Sequence, residues 1–131
     1  MSTSLLYHGF GLVGYEYVRT RYAEGSIIFS VKRHREQFRC SFCRSRDVIF
    51  RGTRSRRFRM VPIGSKRVFL DCEVQRLACR RCGKIRQEKL GFADPRFSYG
   101  HAFERYALDL SKHMTIQDVA RHLGISWDAI K

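Results

Sequence analysis

Hydrophobic and polar residues alternate with a period of two in the first third of the chain. Residues 15–22 alternate between two faces, residues 23–26 contain turn-forming types, and residues 27–31 are β-branched and aromatic. This pattern predicts a β-hairpin, whose aromatic side chains we expect in the core rather than on a base-stacking surface. Residues 5–14 are apolar but interrupted by three glycines, which favours a short helical turn or a loop.

The same period returns in the middle third and predicts two strands. They cover residues 56–61 and 67–78 and are joined at residues 62–65, where proline presets one turn position and glycine tolerates a positive φ. Alternation places four apolar residues on one face of the second strand: Val68, Leu70, Cys72 and Val74. Cys72 is therefore predicted to be a small core residue rather than a ligand.

After a glycine- and proline-containing boundary at residues 91–95, the period changes to 3.6. Residues 98–113 predict an amphipathic helix with an apolar stripe made of Phe103, Tyr106, Ala107, Leu110 and Met114. A second helix is predicted from the N-cap Thr115 to Gly124, with Asp118 placed for a capping box. Ser126 is predicted to cap a third helix that starts at Trp127.

The last two predicted helices have the pattern of a helix-turn-helix. Small Ala120 lies where two helices must cross closely and Gly124 at the sharp turn, in register with five apolar positions: Ile116, Val119, Leu123, Ile125 and Ile130. We prefer this interpretation to an ordinary helical hairpin, and it places the second helix in the major groove of DNA. Because the sequence ends at Lys131, about one turn into that helix, we expect the chain to be a fragment of a longer protein.

Four of the five cysteines form two matched pairs: Cys40, Cys43, Cys79 and Cys82. A tight turn presents two thiolates at this spacing, and two such turns supply a closed tetrahedral zinc site. Gly83 follows the second pair, where a positive φ turns backbone N–H groups towards sulfur, whereas Arg44 makes the first pair less regular. We expect one structural Zn²⁺, with rubredoxin-like iron as the alternative on the same ligands.

These elements together predict an α+β protein made of three segments. Residues 1–36 form the short helix or loop and the first hairpin, residues 37–90 form a zinc ribbon with a long basic hairpin, and residues 91–131 form the helix-turn-helix. The apolar content of 44% is ordinary for a folded protein. No apolar run is long enough to span a bilayer and no signal peptide is evident, so we expect a cytoplasmic protein.

The positive charge lies mainly in the second segment. The net charge is +14, and residues 40–90 hold 15 Lys and Arg against 4 Asp and Glu. Such an excess predicts a nucleic-acid partner, for which we favour duplex DNA and keep an RNA-binding ribbon as the alternative. The basic run that favours phosphate contact consists of Arg51, Arg54, Arg56, Arg57, Arg59, Lys66, Arg67, Arg76, Arg80, Arg81, Lys84 and Arg86. From this run we predict DNA contacts by Arg54, Arg56, Arg57, Arg59, Lys66, Arg67, Arg80, Arg81 and Lys84. The predicted contacts from the helices are Thr115, Gln117, Ser126, Trp127 and Lys131.

A Cys-x-x-Cys ribbon with a long basic hairpin, followed at once by the helix-turn-helix sequence VARHLGISWDAIK, resembles the N-terminal region of bacterial insertion-sequence transposases. The resemblance implies that Cys40, Cys43, Cys79 and Cys82 hold zinc and that the helices from Thr115 onward help to recognise the terminal inverted repeats of a transposon. In such transposases catalysis belongs to an RNase H-like domain with an Asp-Asp-Glu triad. No acidic cluster here matches that triad, so we expect a non-enzymatic DNA-binding module that acts within a longer transposase, with a homo-oligomer as one form of the assembly.

Overall fold

The computed structural model describes residues 3–94 and 96–125. It has a five-stranded sheet followed by a pair of helices, which confirms the predicted α+β class and the order of its two parts. The strands are β1 Tyr15–Ala23, β2 Ser26–Arg33, β3 Val48–Ile63, β4 Lys66–Cys79 and β5 Ile85–Gln87. The helices are α1 Thr3–Phe10, α2 His101–Leu110 and α3 Ile116–Leu123, with a short 3₁₀ turn at Arg35–Gln37.

The first predicted hairpin is confirmed as β1 and β2. Its connection is the pair Glu24 and Gly25, whose φ angles of 52° and 76° are the left-handed values that a two-residue turn needs. Tyr15 and Phe29 are buried, as expected for core aromatics. Tyr22 differs, because its side chain is 79% exposed near the end of the hairpin.

The second hairpin is longer than its sequence pattern indicates. β3 pairs antiparallel with β4 from Val48 opposite Cys79 to Ile63 opposite Lys66. The predicted strand starts only at residue 56 because residues 51–55 are exposed and none is apolar, and a bulge between Phe50 and Gly52 interrupts the alternation. The turn itself is Gly64 and Ser65, with Gly64 at a φ of 60°.

The two hairpins are joined into one sheet with the strand order β1-β2-β4-β3, in which β2 runs parallel to β4. The short β5 pairs with the last part of β4. The first two predicted segments therefore share one sheet, while the division of the chain into three segments stays a prediction.

One face of this sheet carries the main hydrophobic core. Helix α1 and the stretch from Leu90 to Ala93 cover it, and their apolar side chains pack with those of β2, β3 and β4. Cys72 lies within this core and is 5% exposed, which confirms its predicted place among aliphatic residues. Burial raises the pKa of the Cys72 thiol to about 12, as expected for an unreactive core cysteine.

Helix α2 is shorter than the predicted range of residues 98–113. It begins only at His101 because Tyr99 and Gly100 are extended and paired with the rest of the protein: the Arg59 amide donates to the Ser98 carbonyl at 2.8 Å, and the Gly100 amide donates to the Arg59 carbonyl at 3.0 Å. It ends at Leu110, and Met114 lies beyond it, 37% exposed. Tertiary pairing thus overrides the local helical periodicity at this end of the helix.

Helix α3 agrees with its prediction. The Thr115 hydroxyl accepts the Asp118 amide at 3.1 Å, and Gly124 ends the helix with a φ of 68°. A small second core joins α2 to α3 and consists of Phe103, Ala107, Val119 and Leu123. The predicted third helix, starting at Trp127, lies outside the described residues and stays a prediction.

No helix in residues 3–94 and 96–125 is long and apolar enough to cross a membrane.

Candidate metal centre and nucleic-acid interface

The two cysteine pairs form equivalent turns. The Arg44 amide donates to the Cys40 carbonyl at 2.9 Å, and the Gly83 amide donates to the Cys79 carbonyl at 3.0 Å. Arg44 and Gly83 both have left-handed backbones, with φ angles of 63° and 74°. The expectation that Arg44 makes the first turn irregular is therefore wrong, because the arginine adopts the conformation that glycine adopts in the second turn.

These turns direct backbone N–H groups at the first sulfur of each pair. The amides of Phe42 and Cys43 donate to Cys40 Sγ at 3.4 and 3.5 Å, and the Cys82 amide donates to Cys79 Sγ at 3.4 Å. Donors of this kind stabilise a thiolate and help to fix it as a metal ligand.

The long hairpin brings the two turns together. Cys79 pairs with Val48 at the end of β4, and the Arg80 amide donates to the Asp47 carbonyl at 3.0 Å. The four sulfur atoms lie within 4.8 Å of one another, with Cys40 Sγ 3.6 Å from Cys82 Sγ and Cys43 Sγ 3.5 Å from Cys79 Sγ. A tetrahedral site with Zn–S bonds of about 2.3 Å has sulfur–sulfur edges of about 3.8 Å. The four cysteines therefore fit one structural Zn²⁺.

The four thiols differ in acidity. The Cys43 amide, followed by other donors, lowers the pKa of Cys40 to about 6, and the Cys82 amide lowers the pKa of Cys79. The Ser45 amide acts to lower the pKa of Cys43, but desolvation and the neighbouring sulfurs outweigh it and raise that pKa to about 11. Metal binding must displace the protons that remain, so zinc affinity falls as the pH falls.

Several of the predicted phosphate-binding residues already have partners within the protein, and Arg57 is one of them. Arg57 makes a bidentate ion pair with Asp71 at 2.7 and 3.0 Å, and Arg21 reaches the same carboxylate at 3.0 Å. The Arg57 hydrogen bond is the main cause that holds the pKa of Asp71 below its usual value. Arg57 is thus paired within the sheet, and its predicted phosphate contact stays a prediction.

Arg59 is engaged in packing. Its guanidinium lies 4.9 Å from the centre of the Phe103 ring and donates to the carbonyl of Leu123 at the end of α3. A cation suits the carbonyl end of a helix, and burial lowers the pKa of Arg59. Arg59 therefore fastens the helical part to the hairpin, and its predicted phosphate contact stays a prediction.

Two further predicted contacts also have partners within the protein. Arg56 donates to the Phe97 carbonyl at 3.1 Å, and Arg80 lies 3.8 Å from the Asp47 carboxylate. The remaining ribbon cations are exposed: Arg54, Lys66, Arg67, Arg81 and Lys84. On α3, Thr115 and Gln117 are exposed, and the Thr115 hydroxyl is already the helix cap. Ser126, Trp127 and Lys131 lie outside the described residues, and DNA contact by any of these residues stays a prediction.

Two features near the site were not predicted from the sequence. Glu88 is 2% exposed and its carboxylate lies 3.1 Å from Arg33. Phe42 is 58% exposed at the first cysteine turn, with Lys84 Nζ 3.9 Å and the Arg86 guanidinium 5.1 Å from its ring centre. Neither has a local signal, because the cations that contact Glu88 and Phe42 come from distant parts of the sequence.

Comparison with known proteins gives two matches that follow these structural units. Residues 36–82, which contain the four ligand cysteines, match the zinc-finger of transposase IS204/IS1001/IS1096/IS1165. Residues 88–131, which contain α2 and α3, match the helix-turn-helix domain of transposase family ISL3. No curated protein and no solved structure shows significant similarity to the chain. Both matched domains are DNA-binding rather than catalytic, and the chain carries the zinc-ribbon and helix-turn-helix region of an ISL3-type transposase.

Proposed function

We propose that this module recognises the ends of its transposon, binding the terminal inverted repeats in duplex DNA. The observation that carries the proposal is the placement of a closed four-cysteine centre at the base of an arginine-rich hairpin, in a chain that also matches a transposase helix-turn-helix. Phosphate contacts position a protein on DNA, and base contacts from a recognition helix supply sequence preference.

The metal has a structural part in this function. Four thiolates complete the coordination of Zn²⁺ and leave no position for a water nucleophile, so the ion supplies folding energy rather than hydrolytic chemistry. In this proposal the module binds, and strand cleavage belongs to a separate catalytic domain. Two inverted repeats call for two binding modules, so the proposal includes a homo-oligomeric transposase acting on cytoplasmic DNA.

The proposal is tested by competition between a duplex carrying the inverted-repeat end and a shuffled duplex of equal length and composition. We expect tighter binding to the end duplex, by roughly tenfold for each base contact that shuffling removes. Equal affinity for the two duplexes would contradict end recognition. Tighter binding to an RNA of the same sequence would favour the RNA-binding alternative.

The identity of the bound metal distinguishes a zinc-dependent DNA-binding module from an iron-containing electron carrier. Elemental analysis of the purified protein is expected to give one zinc per chain. A red protein that contains one iron per chain would instead favour the rubredoxin-like alternative.

A further inference from the structure

A cleft on the ribbon is lined by four arginines from three strands. Its volume is about 500 Å³, and the arginines are Arg51, Arg54, Arg76 and Arg86. Arg51 lies in the β3 bulge between Phe50 and Gly52, and Arg54 follows it on the same strand, while Arg76 comes from β4 and Arg86 from β5. All four side chains are exposed. Pairing of the three strands thus concentrates positive charge that is spread over 36 positions of the sequence.

The cleft differs from the part of the sheet around Asp71 in how its charges are balanced. Within residues 3–94 and 96–125, no carboxylate forms an ion pair with any of the four cleft arginines. By contrast, Asp71 pairs with both Arg21 and Arg57 in the neighbouring part of the sheet. The Arg21 and Arg57 guanidinium groups therefore share a carboxylate, whereas the four guanidinium groups of the cleft have none among the described residues.

The cleft is also connected to the cysteine turns. Arg86 packs over the Phe42 ring, which lies between two ligand cysteines, and Lys84 packs on the same ring. At the other end of the cleft, the Thr53 hydroxyl donates to Gln75 Oε1 at 2.9 Å across β3 and β4. These contacts hold the cleft walls in place and make its shape dependent on the folded metal centre.

We propose that this arginine cleft is the main phosphate-backbone site of the ribbon and that it takes consecutive phosphates of duplex DNA. Guanidinium groups donate in pairs to phosphate oxygens, and they do so most favourably where no carboxylate competes for them. The proposal rests on the DNA-binding function above and narrows it. It assigns the phosphate contacts of this site to Arg51, Arg54, Arg76 and Arg86, and it does not include Arg57 and Arg59 among them.

The test compares Arg76→Gln and Arg86→Gln with the control Arg57→Gln, since each substitution removes one positive charge from the same sheet. Binding of a duplex is measured across a salt series with zinc-loaded protein, and zinc content is measured for every variant. We expect each cleft variant to bind about three- to tenfold more weakly and to lower the salt slope by about 0.9 for each phosphate that it no longer binds. We expect the control to keep the wild-type affinity within about twofold and the wild-type slope.

The outcomes separate the two proposals. The cleft assignment alone would be overturned if the cleft variants bound DNA with the wild-type affinity and salt slope. It would also be overturned if Arg57→Gln lost as much affinity as the cleft variants. Failure of the wild-type protein to bind duplex DNA would overturn the proposed function and the cleft assignment together. Tighter, cleft-dependent binding of RNA would overturn the assignment of the cleft to duplex DNA.

Discussion

At the scale of single residues, the two cysteine turns show how a shared backbone shape is built from different side chains. Gly83 enters the left-handed region without a steric penalty, while Arg44 enters it at a cost of about 1–2 kcal/mol for an ordinary residue. The same amide-to-carbonyl hydrogen bond closes both turns. The sulfur geometry therefore depends on the closed hairpin as much as on the local preference of either residue.

The five cysteines are predicted to differ sharply in their importance for the metal. Cys79→Ser removes one of the four ligands, so we expect loss of stoichiometric zinc and unfolding of the ribbon. Cys72→Ser leaves the ligands intact and places a hydroxyl in the core, at a cost of about 1–3 kcal/mol. Zinc content by elemental analysis and circular dichroism check both variants, and equal loss of zinc from the two would place Cys72 in the site.

At the scale of secondary-structure elements, a buried ion pair joins strands that are far apart in the sequence. Arg33 at the end of β2 contacts the Glu88 carboxylate and donates to the Tyr15 hydroxyl at 2.7 Å. The second Glu88 oxygen accepts the Gln75 amide of β4 at 2.8 Å. The pair thus links the first hairpin, β4 and the segment after β5.

Burial raises the pKa of Glu88, so the folded protein binds more protons than the unfolded chain between the two pKa values. The contribution of Glu88 to the free energy of unfolding consequently falls as the pH rises through that window. Arg33 partly offsets this effect because its charge favours the ionised carboxylate.

Removal of Arg33 is predicted to make burial of the Glu88 carboxylate more destabilising. Arg33→Met leaves the Glu88 carboxylate buried without its partner, and we expect a loss of about 3 kcal/mol in the free energy of unfolding near pH 8. The loss should shrink as the pH is lowered and Glu88 becomes protonated. Urea denaturation at several pH values measures both effects. The double variant Arg33→Met/Glu88→Gln should recover most of the stability, and a loss that is equal at all pH values would contradict the account.

The elements show what sequence pattern can and cannot predict. The first hairpin, β4 and the capped helix α3 were predicted because alternation, turn residues and the Thr115 cap are local signals. The start of β3, the short β5 and the start of α2 were not, because each depends on pairing with distant backbone such as that between Arg59 and Tyr99. The parallel pairing of β2 with β4 likewise has no local signal.

The candidate site likewise contains some features that the sequence predicts and others that it does not. The four metal ligands were predicted because their spacing encodes the turn that presents them. The pairing of individual arginines was not predicted, because Arg57 and Arg21 share the Asp71 carboxylate, which lies 14 and 50 positions away on another strand. Periodicity places a charge on a face of the sheet, whereas only the assembled sheet shows which charge is paired.

At the scale of the whole molecule, the charge and the two structural parts are arranged together. Residues 40–90 hold 15 basic and 4 acidic residues, while residues 91–131 hold 5 of each. Arg59 fastens α3 to the hairpin, and a side chain at Gly124 would collide with Arg67. The basic ribbon and the helix pair are therefore in direct contact, and most of the net positive charge lies in the ribbon.

The most direct test of this account is the affinity of the protein for duplex DNA across a salt series, with and without a zinc chelator. We expect the logarithm of the association constant to fall linearly with the logarithm of the salt concentration, by about 0.9 for each phosphate contact. Removal of zinc should unfold the ribbon and weaken binding by at least about tenfold, with recovery when zinc is restored. Binding that neither weakens with salt nor responds to the chelator would contradict the account.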